Sequence, residues 1–141
     1  MDATTIVYPA IAMFFLTLSL IVRLGVQRVG AVRSGQISVA YYRLYNEGVQ
    51  PDHLQQIGRH VQNHFEVPPL FYVVLLFLYV TGSVTALAVA LAWLYVALRV
   101  VHSAVHLGRN DVRQRLIVWM SSVAALAALW VLLGVSLLSR A

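Results

Sequence analysis

Cysteine is absent from all 141 residues. That excludes a disulfide framework, a thiolate metal site and a thiol nucleophile supplied by the protein, so any sulfur chemistry has to use a thiol brought by a substrate. Charge is scarce as well: 11% of the residues are charged, against roughly a quarter in soluble domains, and a soluble surface cannot be built from so little. Five acidic residues face ten basic ones. In a soluble chain that balance would point to nucleic acid, but here every basic residue is arginine and they cluster at the ends of apolar segments, where they report topology. There is no basic-aromatic groove, so no nucleic-acid partner is expected. A phosphate-binding glycine loop, a GxSxG elbow, an HExxH motif, a low-complexity tract and a repeat of convincing period are missing too.

What is present is hydrophobic: 60% of the chain, with a mean hydropathy of +0.78. A membrane-crossing helix needs roughly 20 mostly apolar residues, and the pattern predicts four over about 6–29, 53–80, 86–108 and 115–139. The expected fold class is an all-α membrane protein, a four-helix transmembrane bundle in one domain over 1–141. The first apolar run follows Asp2 rather than a basic n-region and precedes no small-x-small cleavage site, so it is expected to stay as the first span. Residues 30–58 form the longest polar stretch, with Arg33, Arg43, Asn46, Glu47, Pro51 and Asp52, and read as a loop with at most a short helical turn. Asp52 is the expected N-cap of the second span, and Pro68 and Pro69 should kink that span where its polar half ends. Thr81-Gly82-Ser83-Val84-Thr85 reads as a tight turn.

Arginines fall on the first connection (Arg33, Arg43, Arg59) and the third (Arg109, Arg113, Arg115), and none falls on the second. The positive-inside rule then puts the first and third connections in the cytoplasm and both termini on the opposite side, with Arg140 opposing weakly. Trp93, Trp119 and Trp130 read as packing or interfacial-belt residues, and Tyr41, Tyr42 and Tyr45 as interfacial.

Ionisable groups inside a span are expensive, so each must be paired, interfacial or functional. On the second span, Arg59-x-x-x-Asn63-x-x-Glu66 keeps three side chains within about 60° of one helix face. They offer a guanidinium fork, an amide and a carboxylate, an inventory that suits a zwitterionic, peptide-like ligand. The bland alternative is that Arg59 and Glu66 sit at the helix entry and satisfy each other or a neighbouring helix. On the third span, Arg99, His102, His106, Asn110 and Arg113 fall within about 80° at helical spacing, with Arg115 pointing the opposite way. Such a stripe must line a helix interface or a wet cavity. His60/His64 and His102/His106 are i, i+4 pairs that could share a metal, but their ligand sets are incomplete and no metal site is expected.

Arg59-x-x-x-Asn63-x-x-Glu66-x-x-Pro69-Leu70-Phe71 resembles the signature of the MAPEG proteins, membrane-associated proteins in eicosanoid and glutathione metabolism. Tyr95-x-x-x-Arg99 with the polar stripe beyond it is similar to that family's glutathione-binding helix, and the chain looks most like its short prokaryotic members. The resemblance implies a homotrimer in the inner (cell) membrane that binds glutathione as co-substrate between subunits, open to the cytoplasm. It implies transferase or peroxidase activity on lipophilic electrophiles or hydroperoxides arriving from membrane lipid. Arg59, Asn63 and Glu66 would hold the peptide parts of glutathione, with Arg99, His102 and His106 completing the pocket. Arg113 would activate the thiol, since a guanidinium stabilises a thiolate, and Arg28 is a second catalytic candidate. Where animal members carry tyrosines on the third span, this chain has His102 and His106. The competing expectation is a non-enzymatic protein of the same fold that binds a small zwitterion or a partner helix. A transporter fits poorly, because four helices leave little room for two alternating halves.

Overall fold

A computed structural model describes residues 2–45 and 48–140. Of the residues expected in the polar loop, Asn46 and Glu47 lie outside the described residues. Six α-helices follow a 3-10 turn over Ala3–Ile6: α1 Val7–Arg33, α2 Tyr41–Leu44, α3 Asp52–Glu66, α4 Pro68–Val80, α5 Ala86–Leu107 and α6 Val112–Leu138. Counting α3 with α4, and the first turn with α1, four helical stretches among the described residues are long and apolar enough to cross a membrane. The architecture is the expected four-helix membrane bundle.

The opening turn is capped by Asp2, whose carboxyl takes the Thr4 backbone N–H and is held below the usual carboxylate range by that bond. The first span outruns its expected end at residue 29 and reaches Arg33. Nothing in Gly30-Ala31-Val32-Arg33 stops a helix. Termination comes at Gly35, whose φ of +73° lets Gly35 N–H bond Val32 O and Gln36 N–H bond Ala31 O, the double bond of a Schellman end. At 1.5 Å per residue, 27 residues make a rod of about 40 Å, longer than a hydrocarbon core of about 30 Å, so Arg28 and Arg33 project toward the interface.

The second span begins one residue earlier than a capping Asp52 would require. Pro51 is the N-cap and Asp52 the first helical residue, so its carboxylate acts on the dipole of the first turn rather than as a side-chain cap. The expected interruption falls at Val67, where α3 stops and Pro68 and Pro69 occupy the first two positions of α4, positions that tolerate a missing N–H. α3 is polar on one face, whereas α4 carries no charge.

Gly82, at φ +62°, closes α4 with the same terminal bond pattern. Thr85 then caps α5 through Ala88 N–H. On this side of the bundle the Arg140 guanidinium donates to Thr81 O at 2.6 Å and Gly82 O at 3.0 Å, tying the end of α6 to the α4–α5 turn.

The core gathers Phe71, Val74, Leu75 and Leu78 of α4, Ala88, Ala92, Tyr95 and Val96 of α5, and Ala125, Leu126, Leu129 and Leu133 of α6, with Ile6 and Met13 from the first stretch. Ala88 and Ala92 let backbones approach, as small residues do between membrane helices, and Tyr95 stacks on Phe71 with ring centroids 4.3 Å apart. The outside is apolar: Phe15 is 61% exposed and Ile117 65%, a surface made for lipid rather than water.

Candidate functional site

α3, α5 and α6 enclose an open cavity of about 430 Å³, within the range of small-ligand sites. α3 contributes Arg59, Gln62, Asn63 and Glu66, α5 contributes His102 and His106, and α6 contributes Val112, Arg115, Leu116 and Trp119. One wall is charged and amide-rich, the opposite wall largely apolar. The three α3 residues singled out by their spacing, Arg59, Asn63 and Glu66, all reach this one space, as do His102 and His106 from the third span.

Arg99 does not line it. The side chain is fully buried and one guanidinium nitrogen donates to Asn63 Oδ1 at 2.8 Å, while Nε and the other terminal nitrogen have no partner among the described residues. Because arginine only donates, the bond commits the Asn63 oxygen and leaves its NH₂ as the group available to a ligand. Glu66 accepts from Gln62 Nε2 at 3.3 Å, so the hydrogen bond it makes is to its neighbour one turn back rather than to Arg59.

The third-span stripe ends sooner than its spacing predicts. α5 stops at Leu107, and Asn110 lies in the connection at φ +52°. A methyl group on Gly108 would meet Ala104 O at 2.7 Å, so this tight exit needs glycine. Asp111 then accepts from Gln114 N–H and starts α6 at Val112. Restarting the helix resets the phase. Arg113 therefore belongs to α6, is exposed and stays off the cavity wall, while Arg115, which a continuous helix would turn away, lines it. The Arg115 guanidinium donates to Asn110 Oδ1 at 2.9 Å and approaches His106 Nε2 at 3.4 Å. Asn110 thus reaches the site from the loop, through Arg115.

Arg28 is elsewhere again. Its guanidinium lies 5.3 Å from the Tyr42 ring centroid and 5.9 Å from that of Tyr45, a cation–π arrangement. It lines a neighbouring groove that shares Arg59 and Gln62 with the main cavity.

Behind the cavity, His60 bonds Ser103 Oγ at 2.8 Å and His64 bonds Thr17 Oγ1 at 3.0 Å. Ring centroids separate His60 from His64, His102 and His106 by 4.9, 5.3 and 4.7 Å. Among the described residues no three His, Cys, Asp or Glu side chains are arranged to hold a metal ion.

Gln62, Val112 and Leu116 are cavity residues that the sequence does not single out, while Arg115, which it turns away, and Trp119, which it reads as packing or interfacial, line the cavity as well. Gln62 carried a signal, lying four residues before Glu66 on the same face; the α6 residues carried none until the loop geometry was known. Chemically the cavity presents two guanidiniums, one carboxylate, amide donors and two imidazoles beside an apolar wall, which suits an elongated molecule with charged ends and a less polar middle.

Comparison with curated proteins and with solved structures yields no match. The model of the MAPEG family matches residues 6–135, nearly the whole chain and every helix that builds the cavity, and the chain belongs to the MAPEG family.

Proposed function

We propose that the protein is a glutathione-dependent membrane transferase or peroxidase acting on lipophilic electrophiles or hydroperoxides. Family members include enzymes of this kind. The observation that carries the reading is the convergence of Arg59, Asn63, Glu66 and Arg115 on one cavity. Arg59 and the Asn63 amide meet carboxylate and peptide groups of glutathione, Glu66 meets its ammonium group, and Arg115 meets the sulfur. A free thiol ionises near pH 8.5, and a guanidinium beside it stabilises the nucleophilic thiolate. Arg115 takes the role that the family resemblance implies for Arg113, because it is the α6 arginine on the cavity wall. Val112, Leu116 and Trp119 form the side on which a lipophilic partner would lie.

The protein works as a homotrimer in this reading, with Arg28 of one subunit near the cavity of another. Within one chain the Arg28 groove already adjoins the main cavity, the two sharing Arg59 and Gln62. The cavity opens toward the arginine-rich first and third connections, the cytoplasmic side by the positive-inside rule.

Calorimetry of glutathione with detergent-purified protein tests the reading. Native protein is expected to bind, and Arg59→Ala and Asn63→Ala to lose binding. No binding to native protein at millimolar glutathione overturns it. Binding without turnover of a generic aryl halide or lipid hydroperoxide leaves a non-enzymatic zwitterion-binding protein.

A further inference from the structure

The Arg28 groove differs in charge from the main cavity that it adjoins. The main cavity holds a carboxylate, Glu66, along with its guanidiniums. The groove, of about 450 Å³, brings Arg28 and Arg59 together with Gln50, Gln55 and Gln62 and, among the described residues, no Asp or Glu. A second recess of about 460 Å³ continues from it, because Arg28 lines both. That recess is walled by Val29, Val32 and Val39 with Tyr42 and Tyr45; Arg33 is its second cation, and it too has no acid among the described residues.

The level of this paired site in the membrane follows from α1. Arg28 stands 21 residues beyond Val7, about 31 Å along the rod at about 1.5 Å per residue, against a hydrocarbon core of about 30 Å. A span that enters the core at Val7 therefore brings Arg28 to the layer of lipid phosphates. The guanidinium rests against the Tyr42 and Tyr45 rings, at 5.3 and 5.9 Å from their centroids, which steadies it without cancelling its charge. Arg28 Nε, Gln50 Nε2 and the Tyr42 hydroxyl are buried and have no partner among the described residues. All three can donate, and buried donors left unpaired are costly. An anionic phosphate diester only accepts, and so supplies what they lack.

From this arrangement we infer that the groove at the end of α1 binds an anionic phospholipid, with its phosphate on Arg28 and an acyl chain along Val29, Val32 and Val39. The inference goes beyond the glutathione reading and does not depend on it. Guanidinium pairs a phosphate through two parallel hydrogen bonds, and basic pockets between membrane helices on the cytoplasmic side suit anionic headgroups. The acyl chain has a path to the surrounding lipid, because Val29 is 51% exposed and Val39 69%. A soluble anion would use the polar groove and leave the valines uncovered. A zwitterionic phospholipid would bring an ammonium group to arginines with no acid among the described lining residues. An uncharged lipid would leave Arg28 unpaired. Of these occupants, the anionic phospholipid alone satisfies both recesses at once.

Native mass spectrometry of the full-length protein in detergent tests this, with phosphatidylglycerol, phosphatidylcholine, oleate or glycerol phosphate titrated in. Phosphatidylglycerol is expected to bind most tightly. Phosphatidylcholine should be weaker by about tenfold, the worth of two arginines near an anionic headgroup, and glycerol phosphate, which has the phosphate and no chain, weaker still. Arg28→Gln should cost about tenfold to a hundredfold in phosphatidylglycerol affinity, the range for a lost charge-assisted hydrogen bond. Arg43→Gln removes the same charge from an exposed position that lines neither recess and should stay within about twofold of native, as screened charges do. Tyr42→Phe keeps the ring against Arg28 and removes only the donor, for an expected loss of about twofold to tenfold. Native affinity in Arg28→Gln overturns the inference, and where that variant does not fold, native affinity in Tyr42→Phe does so. An equal loss in Arg43→Gln also overturns it, because the attraction would then be diffuse. Phosphatidylcholine or oleate binding as tightly as phosphatidylglycerol overturns it too, and glycerol phosphate doing so would make the groove a site for a soluble phosphate. Binding that appears only in Glu47→Gln is equally fatal, since the donors would then serve the chain's own carboxylate. Glutathione calorimetry on the same preparation reads the other proposal separately: a protein that binds phosphatidylglycerol and no glutathione loses that reading and keeps this one.

Discussion

Replacing Arg115 by leucine removes the one α6 cation that reaches the cavity while leaving Arg113 two residues away as an internal control. For a sulfur about 4 Å from the guanidinium and an effective dielectric of about 20, the interaction is worth about 4 kcal/mol, or about 3 pK units. A thiol that ionises near pH 8.5 when free would then be about half ionised near pH 5.5 in native protein. At pH 7 the bound thiol would be almost wholly thiolate with Arg115 present and only about 3% thiolate without it, roughly a thirtyfold loss of the nucleophile. The sign follows from charge: the cation favours the anionic form, so its removal shifts the thiolate titration to higher pH. The assay is a pH titration of thiolate absorbance in the saturated complex for native protein, Arg115→Leu, Arg115→Lys and Arg113→Leu. Lysine keeps the charge but loses the fork that also holds Asn110 at 2.9 Å, so an intermediate shift is expected. Thermal unfolding of each variant separates this effect from loss of the loop contact. An unchanged titration in Arg115→Leu, or a shift of the same size in Arg113→Leu, would refute the reasoning.

Arg99→Met should weaken glutathione binding by about tenfold to a hundredfold, the range for a lost charge-assisted bond at Asn63, as read by calorimetry. Its unfolding temperature should hold or rise, because the buried guanidinium leaves two nitrogens unpartnered and an apolar side chain of similar length does not. Gly108→Ala should cost about 1–3 kcal/mol in thermal unfolding, since the added carbon would meet Ala104 O at 2.7 Å, and should also slow turnover by displacing Arg115. Arg140→Ala should cost less than about 1 kcal/mol, as exposed charged contacts do, and leave glutathione affinity unchanged; a larger loss would mean that the tie to the α4–α5 turn is critical to the bundle.

The spans were legible because the bilayer imposes a strong rule, long apolar runs with backbone bonds closed inside the helix. Pro68 and Pro69 announced the break at Val67 for a local covalent reason, and Gly82 announced its turn. The Arg59, Asn63 and Glu66 face was equally plain, because helical phase is continuous from Asp52 to Glu66. Phase failed at Leu107. The positive φ of Asn110 and the close approach at Gly108 depend on how α6 folds back on α5, and neither leaves a pattern in composition. A periodicity argument carried across that loop selected Arg113 and turned Arg115 away. The same limit hid Arg99's role, since a buried arginine at the correct register looks like a wall residue until its bond to Asn63 is seen.

The break at Val67 has an effect beyond bending the second span. Pro68 and Pro69 have no N–H, so the carbonyls of His64 and Phe65, four residues before them, lose their helical donors. An acceptor that loses its helical donor at this depth needs another, because hydrocarbon cannot solvate it. These two carbonyls sit one and two residues before Glu66, at the level where α3 gives way to the uncharged α4. The second span is thereby divided into a half that carries Arg59, Asn63 and Glu66 and a half without charge, with the boundary drawn by two missing hydrogens.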